Sequence, residues 1–220
     1  MKKIDIAVVD YGMGNLRSVS KALEHVAPSK TVIVSSNPDE ITNAERVVFP
    51  GQGAMPDCIR EMDARGLREA VLDAAKNKPF LGICIGLQML FEQSEEGNVA
   101  GLGVFKGQVK RFASADMKDS EGAKLKVPHM GWNQVYQSTE SQPSTPHALW
   151  QGIDDGSRFY YVHSYYVQPT ESRIISGFSE YPTRFTSAIG VDNLFAVQFH
   201  PEKSASAGLQ LLSNFVNWTP

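Results

Sequence analysis

The sequence predicts an α/β protein with a central, mostly parallel sheet, flanked by helices and extended by antiparallel strands. In the first half, short apolar runs alternate with segments whose apolar residues recur at helical spacing. After about Gly101 the pattern changes to closely spaced β-rich segments, which indicate antiparallel additions. The 220 residues, 42% of them hydrophobic, suffice for one large core, so residues 1–220 are expected to form a single domain.

The individual elements follow from these patterns. Apolar runs typical of strands buried on both faces occupy residues 4–9, 31–34, 46–49 and 79–83. Helical spacing is found over residues 16–26, again from residue 67, and over 204–218. The β-rich segments are 104–112, 125–136, 159–167, 173–178, 186–191 and 194–199. Polar residues 113–123 and 137–146 lack apolar periodicity and are predicted to be surface loops.

Composition limits the classes of function. The net charge of -3 and pI near 6.0 provide no basic surface for nucleic acid or an anionic membrane. The N-terminal apolar run is too short and polar for a signal peptide, and no run approaches the roughly 20 residues that span a bilayer. The two cysteines need no disulfide, and paired His/Cys ligand spacing is absent. We expect a cytoplasmic protein without a metal or cofactor.

A cysteine occupies a predicted junction between a buried strand and a helix. In Gly82-Ile83-Cys84-Ile85-Gly86 a glycine lies two residues to either side of the cysteine, which is typical of a nucleophile elbow with sulfur as the attacking atom. The positive end of the helix dipole favours a thiolate there. The alternative is that Cys84 is a small buried apolar residue, as most free cysteines are. Cys58 has no such setting and is expected to be structural.

A thiol nucleophile needs a proton carrier, and His200 is the best placed of the five histidines. It ends the apolar strand 194–199, and the carboxyl ends of parallel strands gather at the edge where the elbow places Cys84. Glu202 follows after Pro201 and could fix the tautomer of the imidazole. Alternatively, Glu202 is a solvated cap of the closing helix. His163 is the main competitor for the role of base.

Three motifs together resemble a known family. They are Gly82-Ile83-Cys84-Ile85-Gly86 with Gln88 downstream, Phe49-Pro50-Gly51-Gln52-Gly53, and Gln198-Phe199-His200-Pro201-Glu202. In this order they resemble class I glutamine amidotransferases, which have a flavodoxin-like fold and use a Cys-His-Glu triad. The loop of that family often carries a small apolar residue where this chain has Gln52.

Further segments resemble one branch of that class, and the similarity covers essentially the whole chain. The segments are 10–16, 88–92, 128–133 and 161–165. They are similar to the glutaminase subunits of imidazole glycerol phosphate synthases, which serve histidine biosynthesis. The resemblance implies that the chain hydrolyses L-glutamine to L-glutamate and passes ammonia to a separate (β/α)8 cyclase subunit in a heterodimer. The products of that partner are imidazole glycerol phosphate and an aminoimidazole carboxamide ribonucleotide.

Candidate site residues beyond the triad fall into three groups. The backbone N–H of Ile85 and the loop Gly51, Gln52 and Gly53 would form the oxyanion hole. The resemblance implies substrate contacts from Gln88, Glu96, Ser164 and Tyr165. Tyr160 and Lys203 flank the predicted active face and are candidates for contact with the partner. The alternative for Gln88 and Glu96 is an exposed helical polar residue.

Two other functions remain open on the residues alone. One is the glutaminase subunit of a different amidotransferase, serving pyridoxal phosphate, anthranilate or purine synthesis. The other is a non-catalytic interaction protein on the same fold, because a fold alone does not establish activity. We also expect the isolated subunit to have almost no glutaminase activity. The oxyanion loop would be set for catalysis only when the partner, with its ligand bound, is docked.

Overall fold

The computed structural model describes residues 3–113, 117–118, 122, 124–138 and 146–220. The strands are β1 Ile6–Val9, β2 Val32–Ser35, β3 Arg46–Gly51, β4 Phe80–Cys84, β5 Phe91–Ser94, β6 Val99–Ala100, β7 Phe105–Arg111, β8 His129–Gln137, β9 Ser157–His163, β10 Tyr165–Pro169, β11 Ile175–Glu180, β12 Arg184–Val191 and β13 Leu194–Val197. The helices are α1 Leu16–Val26, α2 Pro38–Asn43, α3 Met55–Ala64, α4 Arg68–Asn77, α5 Ile85–Gln88 and α6 Ala205–Asn217. The predicted polar loops lie mostly outside the described residues.

The parallel half of the sheet has the strand order β2-β1-β3-β4-β13. This order is of the flavodoxin-like type, in which functional groups gather beyond the carboxyl ends of the strands. Strands β1, β4 and β13 are buried along their full length, which explains their unbroken apolar sequences. Helix α1 packs against α6, and α2 packs against α4. The predicted α/β architecture is confirmed.

The antiparallel additions begin at β12, which pairs with β13 and with β10. Strand β10 pairs with β7, and a parallel pairing of β7 with β5 leads to the edge strand β6. A branch leaves β12 through β11 and β8 to β9. The end of β9 and the residues that follow it, 162–165, line the cavity described below together with Cys84 at the end of β4.

Several elements differ from the sequence prediction. Two helices, α2 and α3, were not foreseen, although buried Met55, Cys58, Ile59 and Met62 have the spacing of a helical face. The predicted strand 159–167 is two strands separated at Ser164. The helix expected after Cys84 is a single turn, because β5 begins at Phe91 and pairs with β7. A single turn has a small dipole, so it stabilises a thiolate less than a full helix would.

Candidate active site

Cys84 lies at the turn between β4 and α5 with a strained backbone. Its φ is 56° and its ψ is -109°, a conformation that L-residues rarely adopt. The turn requires the glycine at position 86, because a Cβ there would overlap the carbonyl oxygen of Phe49. A Cβ at Gly82 would come within 2.8 Å of the Ala196 side chain. The predicted elbow geometry is therefore present, with sulfur at its apex.

In the parallel pairing of β13 with β4, Val197 lies opposite Ile83. The residues that follow these two positions, His200 and Cys84, therefore line the same cavity. The backbone of His200 is fixed from two sides: its N–H donates to the Tyr160 carbonyl at 2.9 Å, and its carbonyl accepts from Ser204 Oγ at 2.6 Å. Its Nδ1 lies 2.9 Å from Oε1 of Glu202. Nε2 makes no hydrogen bond within the described residues and remains available for a proton.

Glu202 is not a solvated cap, since its side chain is 1% exposed. Its carboxylate accepts the Nδ1–H of His200, so the proton-free nitrogen of a neutral imidazole is Nε2. Burial lowers the pKa of His200, but the charge and hydrogen-bonding capacity of Cys84, with those of Glu202, raise it further, to about 10. The site therefore favours the protonated, imidazolium form of His200 near neutral pH.

A cavity of about 240 Å³ opens beside the sulfur. Its volume lies below the roughly 300–1,000 Å³ of drug-sized pockets, which suits a small substrate. The lining residues are Gln52, Gly53, Cys84, Ile85, Gln88, Glu96, Pro128, Val162, His163, Ser164, Tyr165 and His200. Of the other predicted residues, Gly51 and Glu202 lie behind this lining. Tyr160 and Lys203 lie outside it and contact each other, with Nζ 5.9 Å from the ring centroid.

The two predicted polar contacts of the substrate have different settings. Gln88 is 1% exposed and lies in the turn α5, so it is not an exposed helical residue. Its Oε1 is buried without a hydrogen-bond partner among the described residues, which leaves an acceptor for a ligand. Glu96 lies in the turn after β5, where Oε2 accepts the backbone N–H of Met55 at 2.8 Å.

The loop after β3 is held from behind by two side chains that sequence reasoning did not place in the site. Buried Tyr11 donates its hydroxyl to the Pro50 carbonyl at 2.8 Å. The Cys58 thiol donates to the Gln52 carbonyl at 3.6 Å. A Cβ at Gly51 would overlap the Tyr11 hydroxyl, so only glycine fits there. The spacing that defines α3 could have identified Cys58 as inward-facing.

His163 lines the cavity but has no free nitrogen. Its Nδ1 lies 2.7 Å from the Tyr165 carbonyl, which only accepts, so Nδ1 carries the proton. Its Nε2 accepts from Nδ1 of His129 at 2.9 Å. Burial lowers the pKa of His163 to about 3 and that of His129 to about 4, so both rings are neutral. The geometry favours His200 over His163 as the base.

A third unforeseen residue, Gln198, contacts the sulfur of Cys84. Its Nε2 donates to Cys84 Sγ at 3.7 Å, and its Oε1 accepts from Nε2 of Gln88 at 3.1 Å. Gln198 is fully buried. Its position two residues before His200 was the available signal, since alternate residues beyond a strand return to the same side.

The outer face of β8 carries large exposed apolar side chains. Met130 is 62% exposed and Trp132 is 50% exposed. The Trp132 ring makes an edge contact with Tyr160 across the β8–β9 pair, at a centroid distance of 6.1 Å. Among the described residues, no three His, Cys, Asp or Glu side chains are grouped closely enough to hold a metal. No helix in the described ranges is long and apolar enough to cross a membrane.

The chain belongs to the glutamine amidotransferase class-I family, whose model matches residues 7–218. Within that class it groups with "Imidazole glycerol phosphate synthase subunit HisH" proteins. The relative from Thiobacillus denitrificans is 65% identical over 217 residues, 99% of this chain and 92% of the relative. Relatives from Nitrosospira multiformis and Dechloromonas aromatica are 66% and 67% identical, over 98% of this chain and 99% and 97% of theirs.

Solved structures show the same fold at low identity. A glutamine amidotransferase has a TM-score of 0.69 at 12% identity, covering 96% of this chain and 99% of its own. The glutaminase domain of a Trypanosoma brucei CTPS with bound acivicin has a TM-score of 0.63 at 17% identity, covering 99% and 96%. The predicted family and function, a glutaminase subunit of imidazole glycerol phosphate synthase in histidine biosynthesis, are confirmed.

Proposed function

We propose that Cys84, His200 and Glu202 carry out the glutaminase reaction of this chain, hydrolysing L-glutamine to L-glutamate and ammonia through a thioester. The observation that carries this assignment is a strained, elbow-mounted sulfur beside an imidazole whose Nδ1 is bound to Glu202 and whose Nε2 is open. A continuous core and sheet support residues 1–220 as one glutaminase domain.

The proposed cycle passes two protons in turn through Nε2 of His200, one from the sulfur and one from water. Sγ of Cys84 loses its proton to Nε2 and attacks the carboxamide carbon of glutamine. The imidazolium then gives that proton to the departing nitrogen as the C–N bond breaks, and ammonia leaves. A water molecule next loses a proton to Nε2 and attacks the thioester carbon. The C–S bond then breaks, the imidazolium returns this proton to the sulfur, and glutamate forms.

Each attack creates an oxyanion that needs donors. The backbone N–H of Ile85, directly after the nucleophile, lines the cavity and supplies one. Gln52 and Gly53 line the opposite wall, and their peptides are the candidates for the second donor, with Gly51 giving the close approach behind them. Gly53 has a φ of 108°, where glycine allows a peptide to turn at low cost.

Binding of the glutamine head group is assigned to the polar lining. The free Oε1 of Gln88 can accept a hydrogen bond from the substrate, and the carboxylate of Glu96 lies where it can attract an ammonium group. Ser164 and Tyr165 lie between β9 and β10 and offer backbone groups to the cavity.

As a subunit of the synthase the chain has a cyclase partner, and we propose that this is a (β/α)8 protein in a heterodimer. The exposed apolar pair Met130 and Trp132, with Tyr160 beside it and Lys203 over the Tyr160 ring, forms a face suited to that contact. The ammonia would serve the formation of imidazole glycerol phosphate and aminoimidazole carboxamide ribonucleotide. The two free cysteines support a cytoplasmic location.

The assignment is tested by glutamate release from glutamine, measured for the chain alone and with the cyclase subunit and its nucleotide ligand. We expect low release alone, a large rise in the loaded complex, and loss of that release in Cys84→Ala. Ser176→Ala is the matched control, because it also removes a small buried polar group, and the Ser176 hydroxyl accepts from Trp150 Nε1 and does not line the cavity. Glutamate release that persists in Cys84→Ala would overturn the assignment. Equal rates of glutamate release with and without the loaded partner would overturn the expectation that the docked partner activates the site.

The partner face is tested separately by binding. Trp132→Glu should weaken the Kd for the cyclase subunit by at least about tenfold, because exposed tryptophans are frequent interface hot spots. Val34→Glu, on the edge strand β2, is the control, since Val34 is also exposed and apolar. Equal loss of affinity in both variants would remove the assignment of this face.

A further inference from the structure

Two side-chain amides connect the sulfur of Cys84 to a backbone carbonyl. Gln198 Nε2 lies 3.7 Å from Sγ, and Gln198 Oε1 accepts from Gln88 Nε2 at 3.1 Å. The same Nε2 of Gln88 donates to the Tyr165 carbonyl at 3.1 Å. Gln88 and Gln198 are both buried, so water does not compete for these bonds.

The Tyr165 carbonyl fixes the donor and acceptor of each hydrogen bond between it and the sulfur. The Tyr165 carbonyl accepts only, so Gln88 must present its NH₂ group there and uses its second hydrogen for Gln198. The oxygen of Gln198 is thereby directed at Gln88. Its NH₂ group is left facing the sulfur, because the opposite orientation of the Gln198 amide would place its NH₂ group against the NH₂ group of Gln88, two donors together.

We infer that Gln198 is a further catalytic residue, whose amide N–H donates to Sγ of Cys84 and stabilises the sulfur in its anionic form. This inference rests on the proposed role of Cys84 as nucleophile. The proton that leaves the sulfur goes to His200 Nε2, as in the proposed cycle, and Gln198 keeps both of its own. The donor acts before the attack and again when the C–S bond breaks, because the sulfur is anionic at both stages.

The other titratable groups around the sulfur do not replace this donor. Burial raises the pKa of Cys58 to about 11, and burial raises that of Tyr11 well above its ordinary value, so both stay neutral near pH 8. The Cys58 thiol and the Tyr11 hydroxyl donate to the carbonyls of Gln52 and Pro50. His200, held by Glu202, supplies positive charge, while Gln198 supplies a fixed dipole on the side of β13.

The decisive measurement is the pH dependence of Cys84 alkylation by iodoacetamide in the full complex, read by mass spectrometry of the peptide that contains Cys84. Gln198→Met preserves the length of the side chain and removes the donor. We expect the pH of half-maximal alkylation to rise by about one unit, and kcat to fall at least about tenfold, the effect of one hydrogen bond to a charged group.

Ser187→Ala is the matched control. Ser187 is fully buried, and its backbone carbonyl accepts the N–H of Gln198, yet its hydroxyl donates to Ser179 and not to the sulfur. The alkylation profile of this variant should match that of the unmodified chain. A merely structural role of Gln198 would move stability in both variants and leave the pH of alkylation unchanged.

The outcomes separate this inference from the proposed function. If Gln198→Met does not fold, Gln198→Asn decides, because its amide is one methylene too short to reach the sulfur. Unchanged alkylation and kcat in the folded variant, with release still abolished by Cys84→Ala, would overturn the role of Gln198 alone. Release that survives Cys84→Ala would instead remove the proposed function and this inference with it.

Discussion

Oε1 of Glu202 lies 2.9 Å from Nδ1 of His200, inside a pocket that leaves the carboxylate 1% exposed. Such a buried carboxylate both selects the imidazole tautomer and compensates the imidazolium charge. Glu202→Gln keeps the shape but removes the charge. We expect kcat for glutamine hydrolysis in the loaded complex to fall by about 10²- to 10⁴-fold, the upper value being that of the analogous change in a serine triad.

The control for this change is Glu171→Gln. Glu171 pairs with Arg173 on the surface at 2.6 Å, and the loss of such an exposed pair costs little. Its glutaminase rate should equal that of the unmodified chain. A Glu202→Gln enzyme with full kcat would show that the imidazole is oriented by something other than the carboxylate.

Gly86→Ala should disrupt the elbow. The new methyl group overlaps the Phe49 carbonyl, a backbone atom that cannot move without shifting β3. Overpacking of this kind costs roughly 1–3 kcal/mol of unfolding free energy, and the displaced sulfur should lower glutaminase activity as well. Urea unfolding and glutamate release would be measured on the same preparation.

Gly103→Ala supplies the comparison for that variant. Position 103 is surrounded by open space but has a φ of 66°, so alanine there costs backbone strain of about 1–2 kcal/mol without any clash. Its specific activity should stay intact while its stability falls. Normal activity in folded Gly86→Ala would contradict the proposed geometry of the turn.

Tyr11→Phe removes the hydroxyl that holds the Pro50 carbonyl at 2.8 Å. A buried carbonyl left without its partner should lower the unfolding free energy by roughly 1–3 kcal/mol. Because the carbonyl belongs to the start of the oxyanion loop, kcat should fall while KM changes little. Tyr136→Phe, which loses an exposed bond to Gln134, should change neither quantity. A fall in stability with kcat intact would limit Tyr11 to a structural role.

Three buried histidines should make the fold sensitive to mild acid. Burial lowers the pKa of His163 to about 3 and the pKa values of His129 and His147 to about 4. Unfolded histidine titrates near 6.5, so between about pH 5 and 6.5 the unfolded chain binds more protons. Stability therefore rises with pH in that window. Each such group contributes a slope of up to about 1.4 kcal/mol per pH unit.

The slope can be assigned with one variant remote from the cavity. His147→Gln should reduce the pH dependence of the unfolding free energy by about one proton, measured by urea titration at several pH values. His200 adds nothing to the slope below pH 6.5, because its pKa is raised to about 10 and it is protonated in both states there, where its stabilisation is fully present. Its own contribution is lost as the pH rises from about 6.5 towards 10. An unchanged slope in His147→Gln would mean that His147 is charged in the folded chain.

The parallel strands were predictable because burial on both faces leaves an unbroken apolar sequence, as in β1 and β4. The helix α2 was not, since it is six residues long and buries Ile41 alone. The break at Ser164 is hidden within aromatic residues that suit either strand. The order β12-β10-β7 depends on pairings between distant segments, which local patterns do not specify.

The candidate site also contains residues that the sequence could predict and residues that it could not. Cys84, His200 and Glu202 could be proposed because each is defined by its immediate neighbours in sequence. Gln198 contacts the sulfur across 114 positions, with only its spacing from His200 as a local signal, and Tyr11 holds Pro50 across 39 positions without any local signal. The exposed Trp132 likewise has significance only once β8 is seen to lie beside β9.

The late position of β13 in the sequence has a consequence during synthesis of the protein on the ribosome. Strand β4 and its cysteine are complete at residue 84, whereas β13, the base and its carboxylate are encoded after residue 193. A ribosome releases a chain from its N-terminus, and the first segments begin to fold while the remainder is still being translated. If His200 is the base, as proposed, a nascent chain has a sulfur but no proton acceptor, so it cannot hydrolyse glutamine before translation has passed residue 200.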